Sequence, residues 1–275
     1  MKILSIITIN KNNVTGLEKT IQSVVCQTSD DFEYIIIDGA SDDGSVEIIQ
    51  KYENNINFWV SESDTGIYNA MNKGIRKAHG KFCLFLNSGD WLISPETLDN
   101  VFKEIKGNSS DIFYSDVILS DGRTKHFQKL ETIYHLLATR LNHQNAIIRR
   151  SLFFEHLFYN EELCISSDWE FFLNEFSNYK SVFHKLKTNI SVYDIQGISN
   201  QNEKRNAEDF IVYHNVFGDF ADIVIENIKF RYTTYYNIIA NYGDTKLLTF
   251  LLRIYRKSFE IIKQIIFIFQ KSGKN

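Results

Sequence analysis

The feature that most constrains the fold is the run at residues 3–9, a β-branched segment that is apolar on both faces and ends at Asn10. A strand without a polar face belongs in a sheet that is covered on both sides, which is typical of a central parallel strand. Helical spacing of apolar residues follows at 17–25, and a second apolar run occupies 32–37. Strand, helix and strand in this order form a βαβ unit.

The alternation of helix and strand continues through the first part of the chain. The predicted elements are a helix with Ser45 as its N-cap, a strand at 56–60, a helix at 67–78, a strand at 81–86 and a helix at 94–107. The last helix carries proline directly after the capping serine, where the missing N–H costs nothing. We therefore predict a Rossmann-like, mostly parallel sheet flanked by helices.

The pattern becomes mixed after about residue 108. A hairpin is predicted for 111–127, a helix for 168–176 and one or two strands for 181–193. The sequence is helical from about residue 202 onward. We predict one α/β domain at 1–200 and a helical C-terminal extension at 201–275.

The net charge of −4 hides an asymmetry. Seven Lys or Arg residues and one Glu follow from Lys246 onward, so this segment carries +6 and the preceding residues carry −10. An acidic body argues against nucleic acid as the main partner. The basic tail requires a separate explanation.

The three cysteines have no paired spacing, so we expect reduced, buried thiols in a cytosolic protein. The N-terminal segment turns polar too early for a signal peptide, and no apolar run reaches transmembrane length.

Carboxylates follow the ends of successive predicted strands: Asp38, then Glu62 and Asp64, then Asp90. The carboxyl ends of parallel strands share one edge of a sheet, so these side chains are expected to line one crevice. Without a Walker lysine or a G-x-G-x-x-G turn, such a crevice suits a divalent cation and the hydroxyls of a nucleotide. Alternatively, each carboxylate is a helix cap or a turn residue.

A series of segments resembles the family-two glycosyltransferases, which are inverting, sugar-nucleotide-dependent enzymes of the GT-A fold. The segments are SIITINKN (5–12), LEKTIQSVVCQ (17–27), EYIIIDGASDDGS (33–45), SESDTGIYNAMNKGI (61–75), FLNSGD (85–90), HQNAIIRR (143–150), SSDWEF (166–171) and GIS (197–199). The fourth segment resembles bacterial surface-polysaccharide members in particular. The resemblance implies a nucleotide-sugar half at 1–107 and an acceptor half at 108–200.

The resemblance also implies roles for individual residues. The nucleotide would be contacted by Thr8, Asn10, Asp38, Asp64, Asn72, Lys73 and Asn87. The Asp-x-Asp metal motif corresponds to residues 87–90, where Asp90 alone keeps a carboxylate, and Asp90 would hold Mn²⁺ or Mg²⁺ together with the diphosphate.

Asp168 corresponds to the family's catalytic base, although at a helix start it could equally be an N-cap. His143 would contact the acceptor or the diphosphate, or else be structural. Gly197 and Ser199 resemble a loop that closes over the donor, but the alternative is a glycine turn.

The resemblance implies transfer of one sugar, with inversion, from a UDP-sugar to a lipid-linked or other saccharide acceptor in capsule, lipopolysaccharide or exopolysaccharide synthesis. The Gln-x-x-Arg-Trp motif of processive synthases is absent, which favours a single addition. A non-catalytic binding subunit of the same fold remains an alternative. So does a nucleotidyltransferase, although the sequence has no basic, glycine-rich triphosphate loop.

The C-terminal tail has the pattern of a basic amphipathic helix. One face carries Leu248, Leu251, Leu252, Tyr255, Phe259, Ile262, Ile266 and Phe269, with Arg253, Arg256, Lys257, Glu260 and Lys263 opposite. Such a helix is typical of attachment to an anionic membrane surface, which predicts a peripheral protein on the cytoplasmic face of the cell membrane. Alternatively, it covers the catalytic domain or pairs in a homodimer.

Overall fold

The computed structural model describes residues 2–195 and 202–228. The strands are β1 (Leu4–Asn10), β2 (Phe32–Asp38), β3 (Phe58–Ser61), β4 (Phe82–Phe85), β5 (Trp91–Leu92), β6 (Ile112–Tyr114), β7 (Val117–Leu119), β8 (Thr124–Lys125), β9 (Ala146–Arg149), β10 (Phe183–Lys185) and β11 (Ser191–Tyr193). The helices are α1 (Val14–Val25), α2 (Ser45–Lys51), α3 (Ile67–Lys77), α4 (Thr97–Ile105), α5 (Ile133–Thr139), α6 (Ser151–Glu155), α7 (Ser167–Ser177) and α8 (Asn202–Phe217).

The main sheet has seven strands in the order β10-β6-β9-β4-β1-β2-β3. β1 is buried along its whole length and pairs in parallel with both β2 and β4. Only β9 runs antiparallel to its neighbours, β4 and β6. The predicted α/β class, with a mostly parallel sheet flanked by helices, is therefore confirmed.

Each face of the main sheet packs into its own hydrophobic core. Ile7 and Ile9 of β1 belong to the core that includes α3 and α7, whereas Leu4 and Ile6 belong to the core that includes α1 and α4. This division follows from the two-residue period of a strand, which sends successive side chains to opposite faces. Burial on both faces explains why residues 3–9 are apolar throughout.

A smaller sheet of four strands has the order β5-β11-β7-β8. β11 runs antiparallel to β5, and Ser191 is aligned with Leu92. Because β5 directly follows the loop after β4, this pairing brings the end of β11 to that loop. The predicted hairpin at 111–127 is reduced to β7 and β8, since β6 joins the main sheet instead.

Several predicted details are corrected by the structure. The N-cap of α2 is Gly44, whose φ of 94° is left-handed, and Ser45 is already helical. The helix predicted to start at Pro95 begins at Thr97. Cys83 is buried as predicted, but Cys26 and Cys164 are exposed because they lie beyond the last turn of α1 and in the loop before α7.

The chain divides into two compact units, Met1–Gly218 and Asp219–Asn275. α8 belongs to the first unit, whereas the sequence analysis placed residues 201–217 in the C-terminal extension. Buried Glu208 of α8 accepts hydrogen bonds from the backbone N–H groups of Cys164, Ile165 and Ser166.

The basic amphipathic segment lies outside the described residues, as do Gly197 and Ser199. None of the helices in the described ranges is long and apolar enough to cross a membrane.

Glu33 of β2 fastens the turn between α3 and β4 to the sheet. Its carboxylate accepts hydrogen bonds from the Ser5 hydroxyl and from the backbone N–H groups of His79 and Gly80. Gly80 must be glycine, because a Cβ there would lie 2.6 Å from the backbone nitrogen of Ser5. Burial acts to raise the pKa of Glu33, but these hydrogen bonds outweigh it and hold the pKa below its ordinary value of 4.5.

We predict that Glu33→Gln lowers the free energy of unfolding by about 1–3 kcal/mol, since the amide cannot replace a carboxylate facing several donors. The wild type should lose this advantage as the pH falls from about 4.5 through the folded-state pKa, because the folded state binds the proton less readily than the unfolded state. Urea unfolding from pH 7 to pH 3 measures both effects. Glu162→Gln, at an exposed position, is the control, and an equal loss at all pH values would contradict the assignment.

Candidate active site

The carboxyl ends of the first three strands lie side by side. Asn10 is aligned with Asp38, and Asp38 with Ser61, across the parallel pairs β1–β2 and β2–β3. The Asn10 amide donates to Asp38 Oδ1 at 2.8 Å, and the Ser61 hydroxyl donates to Asp38 Oδ2 at 2.6 Å. The backbone N–H and hydroxyl of Ser41 also donate to this carboxylate. Burial acts to raise the pKa of Asp38, but these donors outweigh it and lower the pKa.

Asp64, in the loop before α3, and Lys73, in the middle of α3, border the same edge. Asp64 Oδ1 accepts a hydrogen bond from the N–H of Gly66. Its Oδ2 lies so close to Gly39 that a Cβ at that glycine would be 2.5 Å away. The Lys73 ammonium binds the carbonyl of Ser63 and forms an ion pair with Glu62. These half-buried groups surround the carboxyl end of β2.

Two of the residues predicted to contact nucleotide are turned into the protein. Thr8 is fully buried, and its hydroxyl lies 3.1 Å from the Tyr34 hydroxyl. Asn72 is 1% exposed, and both ends of its amide bind the backbone of Tyr159. Asn72 also donates to Glu161. These contacts give both side chains structural partners, so neither enters the donor site proposed below.

The loop after β4 carries Asn87 and Asp90. The loop is held by Thr20 of α1, whose hydroxyl donates to the carbonyl of Asp90 and accepts from the N–H of Gly89. Asp90 is 3% exposed, and its Oδ1 accepts a hydrogen bond from the backbone N–H of Asp194. Burial raises the pKa of Asp90 to about 7, against the opposing effects of that N–H, His143 and Gln144.

His143 connects this loop to Asp168. Its Nε2 lies 3.1 Å from Asn87 Nδ2, and its Nδ1 lies 2.8 Å from Asp168 Oδ2. Because the Asn87 amide nitrogen can only donate, Nε2 accepts and Nδ1–H donates to the carboxylate. The ring is 7% exposed and packs edge-on against Phe85. The structure therefore joins Asn87, His143 and Asp168 in one hydrogen-bonded series.

Asp168 is the second residue of α7, whose N-cap is Ser166. The alternative role of Asp168 as the N-cap is therefore wrong. Its Oδ1 lies 3.1 Å from the Tyr68 hydroxyl and accepts from the N–H of Trp169. Burial acts to raise the pKa of Asp168, but the hydrogen bond and charge of His143, together with Arg140 and Tyr68, lower it.

Arg140 is held beside this carboxylate by contacts from two directions. It forms an ion pair with Asp209 of α8, and its guanidinium donates to the Ser166 hydroxyl at 3.0 Å. The same guanidinium stacks on the ring of Trp169. α8 thus supports the start of α7 by fixing a cation near Asp168.

The atoms around Asp90 fit a cation that prefers oxygen ligands. Within residues 2–195 and 202–228, Asn87 Oδ1 and Gln144 Oε1 are buried oxygens without a hydrogen-bond partner. Carboxylate and amide oxygens are the ligands that Mg²⁺ and Mn²⁺ favour. In the described part of the chain, however, no three His, Cys, Asp or Glu side chains converge as a metal site. A cation at Asp90 would therefore depend on amide oxygens as well.

Comparison with known proteins places this geometry in a family. The model of the family described as "Glycosyl transferase family 2" matches residues 5–167. The chain belongs to glycosyl transferase family 2. The family assignment made from the eight sequence segments is therefore confirmed.

Two relatives illustrate the range of named activities. This glycosyltransferase is 30% identical over 201 residues to a "PGL/p-HBAD biosynthesis glycosyltransferase" of Mycobacterium bovis, an alignment that covers 71% of this chain and 78% of the relative. It is 33% identical over 106 residues to a "Cholesterol galactosyltransferase" of Borreliella burgdorferi, which covers 38% of this chain and 29% of that protein.

Solved structures confirm the GT-A fold. S. aureus TarS matches with a TM-score of 0.66 at 21% identity, covering 79% of this chain but only 40% of the TarS chain. TarS 1-349 in complex with UDP-GlcNAc matches with a TM-score of 0.65 at 20% identity, covering 78% and 65% of the two chains. The mannosyltransferase PcManGT from Pyrobaculum calidifontis, in complex with GDP-Man and Mn²⁺, matches with a TM-score of 0.62 at 13% identity, covering 92% and 79%.

Sequence reasoning missed four residues that contact the candidate site: Tyr68, Arg140, Gln144 and Asp194. Tyr68 and Gln144 lie within segments that carried the family resemblance, but nothing in their spacing marks them as partners of Asp168 and Asp90. Asp194 follows β11 and reaches the loop after β4 through the smaller sheet. A sequence pattern contains no signal for that pairing.

We predict that the His143 ring carries its proton on Nδ1, and that Asp168→Asn leaves it there. The amide oxygen of the variant can accept from Nδ1–H, whereas a proton on Nε2 would face the Asn87 amide donor. ¹⁵N NMR of histidine-labelled protein distinguishes the two tautomers, and His143→Gln identifies the signal. A wild-type ring protonated on Nε2 would contradict the assigned series.

Proposed function

We propose that this glycosyltransferase moves one sugar from a UDP-sugar to a hydroxyl of a lipid-linked saccharide and inverts the anomeric carbon. The observation that carries the proposal is the series Asp168–His143–Asn87, which joins a candidate base to the loop that holds Asp90. A direct displacement requires the acceptor hydroxyl and the departing diphosphate to be held together at one centre. The series links Asp168, which is suited to bind the acceptor hydroxyl, to the loop of Asp90, which is suited to hold the diphosphate.

In the proposed reaction, the acceptor oxygen attacks the anomeric carbon while the bond between that carbon and the diphosphate breaks. Asp168 takes the proton of the acceptor hydroxyl. Its lowered pKa keeps it ionised at neutral pH, and His143 and Tyr68 fix its orientation. Each carboxylate oxygen can accept more than one hydrogen bond, so Oδ2 can bind a hydroxyl while His143 remains in place.

The nucleotide is proposed to bind at the carboxyl ends of β1, β2 and β3. Asn10, Asp38, Asp64 and Lys73 surround this edge, and in an open α/β sheet ligands bind there. Asp38 is as buried as Thr8 and also has structural donors, so its proposed contact with the base follows from the family resemblance and from its position at the end of β2. UDP is favoured by the family resemblance and by the UDP-GlcNAc complex of the structural neighbour TarS.

The diphosphate is proposed to lie near Asn87 and Asp90. A Mn²⁺ or Mg²⁺ ion held by Asp90 would neutralise the charge that develops on the departing diphosphate. The Mn²⁺ complex of the structural neighbour PcManGT supports this assignment. His143, which contacts the same loop, is proposed to align the loop with Asp168.

A lipid-linked acceptor is supported by two features. One relative is named for galactosyl transfer to cholesterol. The C-terminal sequence has the basic amphipathic pattern of a membrane-surface helix. We accordingly propose that the enzyme works at the cytoplasmic face of the cell membrane, where both a nucleotide-sugar and a lipid-linked acceptor are available.

Asp168→Asn should lower transfer by at least about 10²-fold, because proton abstraction contributes roughly 10²–10⁴-fold to such reactions. Affinity for the donor should change less than about twofold, since Asp168 lies on the acceptor side. Radiolabelled sugar transfer and calorimetric UDP binding measure the two quantities. Asp31→Asn, an exposed residue before the amino end of β2, is the matched control. Near-native turnover of Asp168→Asn would disprove its assignment as the base.

UDP and UDP-sugars with Mn²⁺ should raise the melting temperature, because a ligand that binds only the folded state stabilises it. Saturation at 100 times the dissociation constant adds about 2.7 kcal/mol. A thermal-shift screen over the nucleoside diphosphates measures this effect. Failure of all of them would contradict the donor site. Binding without release of UDP from any donor sugar would favour the non-catalytic alternative.

A further inference from the structure

Gly89, in the loop after β4, has no side chain, and the carboxylate of Asp194 lies beside it. Gly89 has a φ of 108°, a left-handed conformation that glycine tolerates best. A Cβ at this position would lie 3.0 Å from Asp194 Oδ2. The carboxylate of Asp194 therefore occupies the space that a side chain at position 89 would use.

Asp194 is held in this place by the backbone. β11 pairs with β5, and Asp194 directly follows β11. The Asp194 N–H then donates to Asp90 Oδ1 at 2.9 Å. Asp90 and Asp194 are 104 positions apart in sequence. The pairing of the small sheet thus places a second carboxylate beside the single acidic side chain of the loop.

A neighbour of Asp90 carries an oxygen without a donor. Gln144 is 6% exposed, and its side chain is close enough to Asp90 to lower the pKa of that carboxyl. Its Oε1 is buried and has no hydrogen-bond partner among the described residues. A buried acceptor that lacks a donor is destabilising, and a bound cation removes that cost. The orphaned oxygen is an observation independent of the two carboxylates.

We propose that Asp194 supplies the second carboxylate of a divalent-cation site formed with Asp90 and the side-chain oxygen of Gln144. The proposal deepens the proposed function and rests on it for the role of the cation. All of these ligands are hard oxygen donors, which select Mg²⁺ or Mn²⁺ over softer metals. Two carboxylates balance the charge of one divalent ion, and donor phosphates can complete the coordination.

The test measures Mn²⁺ binding, with and without UDP, from the electron paramagnetic resonance signal of the free ion. Wild type, Asp194→Asn, Asp90→Asn and the control Asp31→Asn are compared, each checked for folding by its melting temperature. Asp194→Asn keeps the backbone N–H that binds Asp90. It should weaken Mn²⁺ binding at least tenfold, as should Asp90→Asn, while Asp31→Asn should stay within twofold.

Asn87→Asp provides a test in the opposite direction. It places a carboxylate oxygen where Asn87 Oδ1 is buried without a partner, so it should tighten Mn²⁺ binding severalfold. Asp194→Asn with wild-type affinity for Mn²⁺, or a wild type that binds no Mn²⁺ even with UDP, would overturn the site. Transfer assays in EDTA separate this result from the proposed function. Mn²⁺ binding without transfer would overturn only the function, whereas metal-independent transfer would overturn the cation site alone.

Discussion

The fold and the site both depend on the parallel pairing of β1 with β2 and β4. Because parallel strands end at the same edge, the register that aligns Asn10 with Asp38 also brings together the polar loops that follow each strand. β1 can occupy the centre only because both of its faces are apolar. The run that buries β1 therefore also determines where these polar loops meet, and the carboxylates at this edge are brought together by topology rather than by nearness in sequence.

Two carboxylates of the site are placed in opposite electrostatic environments. Asp168 is kept ionised by His143 and Arg140, although it is largely buried. Asp90 has no ion-pair partner of comparable strength, and burial raises its pKa to about 7. Pairs of acids whose environments shift their pKa values apart are typical of sites in which each acid has a different task. In the proposed reaction, the ionised Asp168 would accept a proton and Asp90 would be stabilised as a carboxylate by a bound cation.

Much of the fold could be predicted because its signals are local. The apolar runs and helical stripes of the first 107 residues specify the strands and helices directly, and carboxylates after strands identify the edge. Sequence patterns are less informative where tertiary structure decides. Thr8 faces inward because its position in the strand alternation turns it toward Tyr34, and Asn72 lies on the buried side of α3. Asp194 and Gln144 reach Asp90 only through pairing between the two sheets, which no local pattern encodes.

Asn87 stands within the segment that corresponds to the Asp-x-Asp metal motif, and its side chain also binds His143. A carboxylate there would face His143 Nε2 while Asp168 faces Nδ1. A carboxylate can only accept, so it would require a proton on Nε2. The amide instead donates to Nε2, and the proton on Nδ1 binds Asp168. It also directs Oδ1 away from the ring. In the proposed site, asparagine thus separates two tasks: the amide orients His143 toward the proposed base, and Asp194 at the end of β11 supplies the second carboxylate.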